Sequence, residues 1–269
     1  MSKSKNITLW IVAIVLMVIF VFYQRMTGPT YPVSGKVNIN EQVIKFTLPR
    51  THGGDGGEAV KLDIPDLSIT GKITLKRFKS NDEWKTVDMQ RFGNELLAEL
   101  PHQPAAGKVI YIIKLYKDNK SYDLTAEPVI IRFKGDVPAL WLIPHVVFIF
   151  LSFFFSLRTG LEAMFNGKRV YVLTIWTCVI TLIGGLFLGP VIQKFAFDAF
   201  WTGWPFGHDL TDNKTLVAMI FWIIALFKVR KNPQAKLWVI IATVIHIIVF
   251  LIPHSVLGSE IDYTQMPKS

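Results

Sequence analysis

The chain has 269 residues, 51% of them hydrophobic and 18% charged, with a net charge of +9 and a mean hydropathy of +0.38. Apolar residues gathered into runs long enough to cross a bilayer exclude an ordinary soluble domain. The single cysteine, Cys178, excludes an internal disulfide. Most of the net charge, +8 of the +9, comes from bases flanking apolar runs on one side, which excludes the nucleic-acid partner that the total alone would suggest.

The first of five segments free of Asp, Glu, Lys and Arg is Ile7–Tyr23. Lys3 and Lys5 precede it, and no A-x-A-like site follows within Gln24–Tyr31, so residues 1–26 read as an uncleaved transmembrane anchor. Between 27 and 137 the pattern becomes short and alternating. Val33–Ile39 and Gln42–Leu48 flank a turn at Asn40, Gly53–Gly57 reads as a flexible loop, and Ala59–Ile64 follows as a strand. Ile69–Phe78, Lys85–Met89, Glu95–Leu100, Lys108–Lys117, Tyr122–Ala126 and Val129–Phe133 complete the strand candidates. Alternation in Val109-Tyr111-Ile113-Leu115 and turn residues between the runs predict an exported β-sandwich. His52 and His102 fall in its loops and read as solvated.

The stretch KITLKRFKSNDEWKTVDMQRFGNELLAELPHQPAAGKVIYIIKLY, Lys72 to Tyr116, resembles the second half of fibronectin-III or immunoglobulin-like exported domains. The resemblance rests on Trp84, Val87, Met89, Gly93, Leu97, Leu100-Pro101, Gly107 and Tyr111, and extends to a domain of about residues 31–135. It implies a spacer or binding module, with Trp84 as a candidate core anchor. It carries no chemical motif.

Residues 138–257 hold the other four apolar segments: Ala139–Leu157, Val170–Gly189, Thr215–Phe227 and Leu237–Ile252. They predict a four-helix transmembrane bundle in which Thr215–Phe227 is short and must borrow from its flanks. The segments on one side carry Lys3, Lys5, Arg158, Lys168, Arg169, Lys228, Arg230, Lys231 and Lys236 against Glu162 alone, a net +8. The short outer segments carry a net −2. Bases near span ends mark the cytoplasmic face. The expected protein is therefore multi-pass in the bacterial inner membrane, N-terminus cytoplasmic, with the sandwich and a tail, 258–269, periplasmic.

Candidate sites follow from the same segments. In the third, Thr174, Thr177, Thr181, Gly185 and Gly189 recur at helical steps and predict close helix packing. His145 and His246 lie at matched depth in different spans, with His254 at the outer mouth; two imidazoles so placed can hydrogen-bond neighbouring helices, or ligate haem b or copper. The aromatic outer loop 190–214 suits the membrane interface, and in it His208, Asp209 and Asp212 can hold a divalent ion or cap the next helix. The fold class is a mixed membrane protein: N-terminal transmembrane helix, exported β-sandwich, C-terminal four-helix bundle. With no nucleotide loop, nucleophile–base pair or paired catalytic carboxylates, these features point to a non-catalytic accessory or structural subunit of a membrane assembly. Its partners would be the lipid bilayer and another membrane or periplasmic protein. The alternatives are a redox subunit using the histidines, and a small-molecule carrier, which spans without charge disfavour.

Overall fold

The computed structural model describes residues 2–40, 42–207, 209–253 and 260–265. The chain divides into a helical unit, Met1–Pro29 with Val137–Gly258, and a β unit, Thr30–Asp136 with Ser259–Ser269.

In the helical unit, α1 (Lys3–Thr27) starts where the Ser2 side chain accepts the Lys5 amide at 3.2 Å. It is followed, after the β unit, by α2 (Ala139–Met164), α3 (Val170–Thr181), a π-helical segment (Leu182–Leu188), α4 (Gly189–Phe197), α5 (Leu210–Lys231) and α6 (Leu237–Leu251). Among the described residues, four stretches are long and apolar enough to cross a membrane: α1, α2, α3 through α4, and α5. The expected short segment, Thr215–Phe227, grows at both ends into the 22 residues of α5. The shortest is instead α6, with 15 residues. Apolar runs underestimate a helix whose ends are polar, because Asp209 caps α5 and Lys228, Arg230 and Lys231 complement its C-terminus.

Two clusters hold this unit together. Ala13 of α1, Phe153 and Leu157 of α2, and Phe250 of α6 form one, with Leu16, Met17 and Phe20 against it. Phe153 stacks on Phe250 at 3.9 Å. The expected separate anchor is therefore a packed member of the bundle, tied at one end by Gln24 Nε2 donating to the Phe250 carbonyl at 2.7 Å. The second cluster surrounds Trp222 of α5, fully buried among Cys178, Met219, Ala225, Val239 and Ala242.

Among its described residues the β unit has eleven strands in three sheets: β1 (Val33–Ile39) with β2 (Gln42–Leu48); β3 (Thr51–Gly53), β11 (Val129–Lys134), β9 (Lys108–Lys117), β5 (Thr70–Arg77) and β6 (Lys85–Asp88) in that order; and β4 (Glu58–Asp63), β8 (Glu95–Leu100) and β7 (Gln90–Phe92). β10 (Lys120–Asp123) extends β9 as a hairpin. All pairs are antiparallel except β3 with β11. Alternate residues of β2, β4, β5, β8 and β9 enter one shared core that includes Ile44, Leu62, Ile73, Leu100, Tyr111 and Phe133. Asn40 makes the expected turn with φ 53. The two strands missing from the sequence reading, β3 and β7, have three residues each, too few to display alternation.

Trp84 is not a core anchor. It is 43% exposed in the turn before β6, with the Lys76 ammonium 5.4 Å above its ring. The described tail residues 260–265 pack on the β unit. The Ile261 amide donates to Ala106, Tyr263 is buried with its hydroxyl on Gln103 Oε1 at 2.8 Å, and Glu260 pairs with Lys79 and Lys108.

Candidate functional site

Many polar groups of the helical unit are buried among apolar side chains, where each depends on a partner. On α3, the Thr174, Thr177 and Thr181 hydroxyls bond back to carbonyls four residues earlier. All three are buried. Thr177 and Thr181 also meet α2, with Thr177 3.0 Å from Thr159 and Thr181 2.5 Å from Ser152. Thr243 of α6 donates to the Ser156 carbonyl at 3.3 Å. These hydroxyls place one face of α3 against α2.

Its glycines divide. A Cβ on Gly185 would come within 2.5 Å of Thr215, and one on Gly184 within 2.9 Å of Phe148, so both allow close helix approach. On Gly189 the nearest atom would be 3.8 Å away, so this position needs no glycine. The G-x-x-x-G pair does not form one contact, because Gly185 meets Thr215 of α5 whereas Gly189 lies nearest His145 of α2. A contact unmarked in that motif is Gly160, whose Cβ would lie 2.6 Å from Thr243.

His145 and His246 engage different helices. His145 Nδ1 donates to the Gly184 carbonyl at 3.0 Å, satisfying a group of the π-helical segment. His246 is buried, and its Nδ1 accepts the Trp222 indole at 2.9 Å. Because an indole N–H only donates, neutral His246 carries its proton on Nε2. That nitrogen then has no lone pair for a metal, so paired axial ligation by His145 and His246 does not fit the hydrogen bonds present. A cavity of about 40 Å³ beside His246 is lined by Ser152, Thr181, Lys214 and Thr215 and not by His145. It has room for a water or two. His254 and His208 lie outside the described residues.

The start of α5 is built by carboxylates. Asp209 Oδ1 accepts the Thr211 amide at 2.7 Å, and Asp212 Oδ2 accepts the amides of Thr202 and Gly203 at 2.7 and 3.0 Å. Asn213 takes the Trp204 amide at 2.6 Å, and Gln193 of α4 donates to the Thr202 hydroxyl at 2.6 Å. Asp209 and Asp212 are thus committed to a cap and to the 198–207 loop. Among the described residues, no three His, Cys, Asp or Glu side chains gather as metal ligands.

Charge does enter the helices, contrary to the expectation of charge-free spans. Arg158 and Glu162 sit in the last two turns of α2 at 0% and 1% exposure, 2.7 Å apart. Arg158 also donates to Asn6 Oδ1 at 2.7 Å and lies 4.8 Å over the Trp10 ring of α1. Glu162 Oε1 accepts the Arg169 amide at 3.1 Å. At the other end, Lys214 of α5 is buried and donates to the Ile252 carbonyl at 2.7 Å, neutralising the C-terminus of α6. Both ends were treated as flanks because apolar runs stop at the first charge. The available signal was the i,i+4 spacing of Arg158 and Glu162 with no turn residue before Asn166-Gly167.

Comparison with protein-family models, curated proteins and solved structures finds no match to this chain.

Proposed function

We propose that the chain is a non-catalytic accessory subunit of a bacterial membrane assembly, whose β unit binds a partner outside the cytoplasm. One observation carries this reading. The buried hydroxyls of Ser152, Thr177 and Thr243 are spent on joining helices, whereas the β unit leaves a sheet edge open. β6 ends its sheet, with every residue exposed, and offers Val87 at 41% exposure beside Trp84. Apolar side chains next to an unpaired strand favour pairing with another chain.

The immunoglobulin-like assignment belongs to the same reading. Taking β4, β5, β6, β7, β8, β9 and β11 as strands B, C, C′, D, E, F and G gives B-E-D in one sheet and G-F-C-C′ in the other. That order supports the family resemblance, and such folds commonly serve binding. The inner-membrane orientation rests on the charge bias. Pairing Arg158 with Glu162 leaves eight bases unopposed at the same ends of the helices.

The test is purification in mild detergent from the source membrane, comparing wild type with a W84E/V87E variant. A stoichiometric companion protein that the variant loses, with the β unit still folded, supports the reading. No companion, or one retained by the variant, overturns it.

A further inference from the structure

At the basic end of the helical unit, the start of α1, the last turn of α2 and the loop into α3 enclose a cleft of about 350 Å³. It is lined by Ser2, Lys3, Asn6, Glu162, Lys168 and Arg169. Its one carboxylate is already engaged. Glu162 is 1% exposed, holds the Arg169 amide through Oε1, and faces Arg158 through Oε2. Lys3, Lys168 and Arg169 are exposed, and among the described residues no carboxylate lies within ion-pair distance of them. The cleft therefore presents three uncompensated cations over a neutral floor. The N-termini of α1 and α3 lie beside it, and their helix dipoles add positive partial charge.

We propose that this cleft binds the phosphate of an anionic membrane-lipid headgroup. The proposal rests on the membrane-spanning reading of the helices, which puts their ends at headgroup level. Charge sign excludes a metal cation as occupant. The absence of a free carboxylate disfavours a headgroup that also carries an ammonium or choline. The floor is rigid, because Arg158 fastens Asn6 of α1 to Glu162 of α2 beneath the cations. Lys5, 4.7 Å over the Phe165 ring, braces the same corner. The cations are thus held around one volume and not spread along a surface.

The experiment is thermal unfolding of the full chain in mild detergent with added short-chain phosphatidylglycerol, phosphatidylcholine or inorganic phosphate. Wild type and an R230Q/K231Q control, which removes equal charge from the end of α5, should gain several degrees with phosphatidylglycerol and little with the other two. K168Q/R169Q should lose most of that gain, and K3Q part of it. An undiminished gain in both of these variants, or an equal gain with phosphatidylcholine, overturns the proposal. Inorganic phosphate matching the lipid at equal concentration overturns the lipid source and assigns free phosphate. Failure of the membrane reading is separately visible as a chain that stays dispersed without detergent.

Discussion

Arg158 and Glu162 illustrate how a residue's meaning changes with burial. As flanking charges they record topology; as a buried pair they fasten α1 to α2 and to the loop before α3. Removing one member leaves the other uncompensated, so E162Q should destabilise the helical unit by about 3–5 kcal/mol. An R158M/E162L double variant should recover most of that loss, since two apolar side chains avoid the desolvation penalty. Reversible unfolding in mixed micelles measures both, and a mild E162Q would show that water reaches the pair. Trp84 makes the opposite case. Exposed beside β6, its truncation to alanine should change β-unit stability by no more than about 0.5 kcal/mol in a denaturant titration. A loss of several kcal/mol would return it to the core.

At the scale of elements, the contacts of α2 decide how the helices pack. Gly160 meets Thr243 of α6 so closely that G160A should cost about 1–3 kcal/mol by overpacking. G189A should be neutral or stabilising, because Gly189 already has helical φ and ψ and an added Cβ would make only ordinary van der Waals contact, 3.8 Å from the nearest atoms. Thermal unfolding of the two variants side by side distinguishes the helix pairs, and equal losses would refute the division. Strands of four or more residues are legible in the sequence because alternation needs several positions to register, most clearly from Val109 to Leu115. β3 was not, since its place comes from parallel pairing with β11 some eighty residues later. The π-helical segment was also hidden, because it arises from how Gly184 and Gly185 meet α2 and α5 and not from local propensity.

For the whole molecule, orientation and the tail give the tests. A reporter fused after Ser269 should read as exported if the eight unopposed bases face the cytoplasm; a cytoplasmic signal would reverse the assignment. The tail is held on the β unit by Glu260. Burial alone would raise its carboxyl, but Lys108 and Lys79 outweigh burial and hold it below its ordinary value. A carboxylate lowered in the folded state stabilises above its unfolded pKa, and that contribution is lost as pH falls through the native value. Docking of the tail should therefore be full at neutral pH and weaken below about pH 4. A spin label at Q265C, with Cys178 buried and unreactive, should be immobile at pH 7 and mobile at pH 3. The same label on an E260Q background should be mobile at both. Immobility throughout would show that Tyr263 anchors the tail unaided.

By itself, the amino-acid sequence determined where apolar helices and β-strands lie, which helix ends are basic, and that the β unit must fold without disulfides. These follow from composition and periodicity, which act over a few residues. It did not reveal that α1 joins the bundle, that Arg158 and Lys214 are buried, or that His246 is held by Trp222. Only the tertiary structure decided those. The free energy of a polar group in a helical bundle depends on the neighbour brought to it from another helix, and adjacent residues carry no record of that neighbour.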